Sequence, residues 1–113
     1  MAKKRGPSRL PAEALEIVAQ RFRALGDPTR LALLQALFEG ERTVQELCAS
    51  TAVAQPNASK HLALLLEQGL VARQREGSFT RYRIADASLQ SLCHLVCDSL
   101  AARHEAVRAS LVP

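Results

Sequence analysis

No stretch of the chain is apolar over the roughly 18 residues that a membrane-spanning helix needs, so the sequence predicts neither a span nor a membrane partner. The basic start MAKKRGPSRL has no apolar segment behind it, which argues against a secretory leader. Cysteine is sparse and odd in number, three in 113 residues. Without an export signal, that points to reduced thiols in the cytoplasm and not to a disulfide framework. Glycine and proline number only five each, and 48% of residues are hydrophobic, a balance that fits a compact, mainly helical single domain with one modest core. There is no internal repeat, no Gly-rich phosphate loop and no metal-hydrolase motif. Cys93 and His94 are neighbours, but on a helix they point about 100° apart, poor geometry for a nucleophile and its base. The expectation is a protein that is not an enzyme.

What the chain does have is positive charge in two places. Of the net +4, the first nine residues hold Lys3, Lys4, Arg5 and Arg9 with no acid. Residues 55–83 hold Lys60, Arg73, Arg75, Arg81 and Arg83 against Glu67 and Glu76. The segments between and after them are net acidic. Basic charge confined in this way suits a phosphate-binding face, because each neutralised phosphate releases counterions. A merely solvated basic surface is the plainer alternative.

Residues 1–10 lack periodicity and are expected to form a disordered basic arm, ahead of a domain over 11–110. From Pro11, Leu15, Val18, Phe22 and Leu25 fall at helical spacing, ending at Gly26. Asp27-Pro28 opens the next helix as N-cap and first position, with Leu31, Leu34, Leu37 and Phe38 as its apolar stripe and Gly40 as its stop. Thr43 and Glu46 form a capping box for a short helix with Val44, Leu47 and Cys48 inward. Pro56 starts a further helix, with Ala58, Leu62 and Leu65 inward and Gly69 at its end. Leu70–Arg75 and Thr80–Ile84 read as strands around Glu76-Gly77-Ser78. A last helix runs from Asp86, with Leu89, Leu92, Val96 and Leu100 on one stripe. The order is α-α-α-α-β-β-α, mainly α with a small β-hairpin.

Residues 43–84 thus have the layout of a helix-turn-helix followed by a β-wing. Gln55, Asn57, Ser59, Lys60 and His61 cluster toward the N-terminal end and outer face of the second helix of that pair. Asn and Gln can pair bidentately with adenine, and Lys can reach guanine or a phosphate, so these are the candidate base readers. The helix N-terminus itself favours a phosphate. Arg73, Arg75 and Arg81 of the hairpin could grip the DNA backbone or enter the minor groove. Two members have plainer readings: His61 as a packing contact and Ser59 as helix surface.

The run Leu25-Gly26-Asp27-Pro28-Thr29-Arg30, followed by a leucine-rich helix, resembles the opening signature of the ArsR/SmtB family of winged-helix repressors. Gln55-Pro56-Asn57-Ala58-Ser59-Lys60-His61-Leu62 resembles the recognition helix of that family, and Glu76-Gly77 to Tyr82-Arg83 its wing. The resemblance covers residues 15–100. It implies a winged helix-turn-helix that dimerises through its first and last helices, binds a two-fold operator in double-stranded DNA, and is released by an inducer, often a soft metal ion.

The family's sensor positions are only partly occupied. A Cys-x-Cys sensor following Glu-Leu would fall on Glu46-Leu47-Cys48-Ala49-Ser50, where the second thiol is a serine. A zinc site of the pattern Asp-x-His-x10-His-x2-His or Glu would fall on Asp86, Ser88, Ser99 and Ala102, so only the aspartate is kept. A persulfide sensor would need a cysteine on the second helix, where Gln35 stands. The chain instead carries Cys93 and Cys97, whose i, i+4 spacing puts two sulfurs on one helix face, able to share a soft ion. Trivalent arsenic or antimony would want a third thiolate, from Cys48 or from the other subunit. His94 and Asp98 repeat the spacing on an adjacent face, though there, as at His104, solvated surface is the plainer reading. Packing alone also fits Cys93 and Cys97, since free cysteines are often buried. The expectation is therefore a homodimeric repressor, with As(III), Sb(III) or another soft ion as inducer at Cys93, Cys97 and Cys48. Sensing of oxidants or persulfides, a constitutive DNA binder, and a winged helix used for protein contacts stay open as alternatives.

Overall fold

The computed structural model describes residues 9–104 and 110–111. Most of the expected basic arm, residues 1–8, lies outside the described residues. Five helices and three short strands follow in the order α1 (Ala12–Leu25), α2 (Pro28–Phe38), β1 (Arg42–Thr43), α3 (Val44–Thr51), α4 (Gln55–Glu67), β2 (Val71–Glu76), β3 (Phe79–Ile84) and α5 (Ser88–Arg103). Local chemistry explains most boundaries. Asp27 caps α2 by accepting from the Arg30 amide at 3.0 Å, and Pro28 sits where a helix needs no N–H. Thr43 and Glu46 close a reciprocal capping box: Thr43 Oγ1 accepts from the Glu46 amide at 3.1 Å, and Glu46 Oε1 from the Thr43 amide at 2.9 Å. Gly77, at φ +61°, permits the two-residue turn that pairs Glu76 with Phe79.

One strand was not foreseen. Arg42 and Thr43 pair with Tyr82 and Arg81, so the hairpin becomes a three-stranded antiparallel sheet in the order β1-β3-β2. Two residues carry no legible alternation, and this pairing exists only because α2 and α3 bring the segment beside the wing.

The core is built from leucine: Leu33, Leu34, Leu47, Leu62, Leu65, Leu70 and Leu89 are essentially inaccessible. Each contributes about 1.5–3 kcal/mol by burial. They join α2, α3, α4, the start of the sheet and the first turn of α5 into one unit. On α2 the inward face is Leu33, Leu34 and Leu37, while Leu31 is exposed, so the expected stripe is turned by part of a residue spacing. The stripes of the outer helices fare differently. On α1 only Ala24 and Leu25 are buried, whereas Leu15, Val18 and Phe22 are exposed. On α5 Leu89 is buried and Leu92 packs on the core, but Val96 and Leu100 are exposed. α1 therefore docks by its C-terminal end and α5 mainly by its N-terminal half, with Ala101 also buried near its end, and both extend an apolar face beyond the core. Arg21 fastens α1 in place, donating to Asp86 Oδ2 at 2.8 Å and to the Gln68 carbonyl at 3.1 Å.

Candidate nucleic-acid interface and thiol pair

α4 packs through Ala58, Leu62 and Leu65, all fully buried. Helical geometry then turns Gln55, Asn57, Ser59 and Lys60 outward, and all four are exposed. No side chain caps α4 at Ala54, so the first-turn amides remain open to an anion. His61 differs from its neighbours. It is half-buried, with Nδ1 3.1 Å from Arg30 Nη1 on α2. Arg30 was not singled out as a candidate from the sequence. Its place directly after Asp27-Pro28-Thr29 was the available signal, and only the fold brings it to α4.

In the wing, antiparallel pairing decides which arginines share a face. Arg73 lies opposite Tyr82 and Arg75 opposite Thr80, on the core-side face but beyond the core, where both are exposed. Arg81 lies opposite Gln74 and Thr43, on the other face. The three candidate arginines are thus divided between two surfaces. Arg81 is also engaged: its Nε donates to Glu76 Oε1 at 2.8 Å, and its Nη1 is 3.9 Å from Glu46 Oε1. Arg75 Nε donates to the Gly77 carbonyl at 3.1 Å, bracing the turn while leaving the rest of the guanidinium exposed.

Cys93 and Cys97 lie one turn apart on α5, both half-buried. Burial, and secondarily the neighbouring Cys97, push the Cys93 thiol above its ordinary range. Cys48 sits on α3 packed against the core. Among the described residues no three His, Cys, Asp or Glu side chains gather into a metal-binding group, so Cys48 does not join the α5 pair within one chain. His94 and Asp98 are exposed, as is His104.

A helix pair whose second member presents an uncapped, polar N-terminal half, followed by a basic antiparallel wing, defines a winged helix-turn-helix DNA-binding protein. The family model described as "Bacterial regulatory protein, arsR family" matches residues 27–73. A "Probable mercury resistance operon repressor" of Streptomyces lividans is 40% identical over 86 residues, 76% of this chain and 69% of the relative. An "HTH-type transcriptional repressor SmtB" of Mycobacterium tuberculosis is 38% identical over 95 residues, 84% of this chain and 68% of the relative. Among solved structures, the homodimeric winged helix-turn-helix DNA-binding domain from Mycobacterium bovis, "a possible ArsR-family transcriptional regulator", superposes with a TM-score of 0.74 at 36% identity, covering 88% of this chain and 94% of that one. The chain belongs to the ArsR/SmtB family of winged helix-turn-helix transcriptional regulators.

Proposed function

We propose that this protein is a homodimeric repressor whose operator affinity is relieved by a thiophilic inducer bound at Cys93 and Cys97. The observation that carries the DNA half is the exposed row Gln55, Asn57, Ser59 and Lys60 on a helix whose other face is locked into the core. Lys60 and its neighbours read the major groove, and Arg73 and Arg75 add salt-sensitive contacts to phosphates. The basic arm over residues 1–10 adds charge of the same kind. The homodimeric Mycobacterium bovis neighbour supports a dimer. The exposed apolar residues of α1 and α5 support those two helices as its seam.

For the inducer, the thiol pair is the support, together with relatives named for mercury and arsenical resistance. Two thiolates suit a two-coordinate soft cation such as Hg(II). As(III) or Sb(III) would draw a third thiolate from the partner subunit, since Cys48 of the same chain stands apart from the pair. A persulfide sensor would need a cysteine on the second helix, where Gln35 stands, which sets that reading second. An inducer can act only by binding the DNA-free state more tightly than the DNA-bound one.

The test is release of an operator complex on titration with Hg(II), arsenite, antimonite, cadmium, zinc and persulfide. Release by one of the soft ions, lost in Cys93→Ser/Cys97→Ser, is the expected result. Normal release from that double variant would place the sensor elsewhere, and no release by any ion would leave a constitutive binder.

A further inference from the structure

Arg30, half-buried, makes three directed side-chain contacts. Its Nε donates to the Ala24 carbonyl at 2.6 Å and its Nη2 to the Arg23 carbonyl at 3.0 Å. Its Nη1 meets His61 Nδ1 at 3.1 Å. Its own amide is held by Asp27 at 3.0 Å. The two carbonyls belong to the last turn of α1, at its negative dipole end, and the Arg23 carbonyl also accepts from the Gly26 amide at 3.2 Å. The guanidinium therefore closes the C-terminus of α1 and, with its remaining edge, grips α4.

That grip has a defined chemistry. A guanidinium carries only donors, so His61 Nδ1 must be the acceptor and the ring proton must sit on Nε2. His61 precedes the buried Leu62 and follows the exposed Lys60, so fixing its ring fixes the roll of the half-turn that presents Ser59 and Lys60. The C-terminal end of α4 is tied directly to α1, through Arg21 and the Gln68 carbonyl. α4 is thus held at its middle by Arg30 of α2, which is itself bound to the end of α1, and at its C-terminus by Arg21 of α1.

We infer that Arg30 is a positioning residue for DNA recognition: through His61 Nδ1 it sets the orientation of the α4 reading face relative to α1. The inference rests on α4 being the reading helix. It assigns His61 to support of that helix and not to base contact, and it couples the end of α1 to the reading face through Arg30 of α2.

The ring geometry supplies the test. Asn places its amide oxygen where Nδ1 stands, one bond beyond Cγ, whereas Gln reaches the position of Nε2. His61→Asn should therefore keep operator affinity within a few-fold. His61→Gln, His61→Leu and Arg30→Lys should each lose about tenfold or more, the scale of one charged hydrogen bond. Affinity for non-operator DNA and helical content should change little in all four. In the unaltered protein, nitrogen NMR should find His61 with its proton on Nε2. Retention of affinity in His61→Gln with loss in His61→Asn would overturn the inference in favour of a direct Nε2 contact. So would undiminished operator binding by Arg30→Lys, or a proton on Nδ1. Lys60→Ala separates the underlying reading: if it binds operator normally, α4 is not the reading helix and the inference falls with it; loss in Lys60→Ala alongside retention in His61→Asn supports both.

Discussion

At the scale of single residues, short-range hydrogen bonds to carboxylates do much of the ordering. Asp27 is held below the usual carboxylate range chiefly by the Arg30 amide, Glu46 chiefly by the Thr43 amide, and Asp86 chiefly by the Ser88 hydroxyl, then its amide and Arg21. Each is more acidic folded than unfolded. The stabilisation is therefore complete above the ordinary values, 3.8 for Asp and 4.5 for Glu, and is lost as pH falls through the lower folded ones. Melting temperature should begin to fall on acidification below about pH 4.5. Asp86→Asn should be less stable at neutral pH and show a shallower acid decline, read by thermal melts across pH. A parallel decline in variant and parent would refute the assignment to this carboxylate.

At the scale of elements, the wing illustrates how pairing register governs what a charge can do. Arg73 and Arg75 share one exposed face, while Arg81 lies on the other, its charge already matched by Glu76 and Glu46. Replacing Arg73 or Arg75 with Ala should lower the salt dependence of DNA binding by about one unit of slope each, with little change in sequence preference. Arg81→Ala should reduce that slope less, and its effect should appear mainly in stability. Binding isotherms at several salt concentrations decide this; equal slopes for all three variants would mean that the ion pairs of Arg81 open on DNA. The wing was legible as a hairpin from Glu76-Gly77-Ser78, yet the division of its arginines was not, because register depends on which residues β3 meets on both sides.

For the whole molecule, the faces left uncovered matter as much as the core. Phe22 on α1 and Leu95 on α5 are 58% and 67% exposed, and Leu15, Val18, Val96 and Leu100 continue the same two faces. A second copy of the chain on these faces would bury them and set the distance between two α4 helices. Phe22→Glu and Val96→Glu should each yield a folded monomer by sedimentation, with core melting retained. Operator affinity should fall about a hundredfold or more, as the linkage between half-sites is lost. A parent protein that is monomeric at micromolar concentration would refute the seam.

Capping pairs, turn residues and the inward row of α4 were readable along the chain. Asp27-Pro28, Thr43 with Glu46, Ala58-Leu62-Leu65 and Gly77 act over a few residues, and each is found in the role its chemistry dictates. The helix-turn-helix layout, the exposed polar row of α4 and the basic wing were legible for the same reason. What needed the folded chain were contacts between distant segments: β1 against β3, Leu33 inward in place of Leu31, Arg30 reaching His61, and Arg81 matched to Glu46. Periodicity marks that a helix has an apolar face, but it cannot distinguish a face turned to the core from one left outside it. On α1 and α5 only the packing made that distinction, because the core closes over the ends of both helices and leaves the rest of their apolar surface outside.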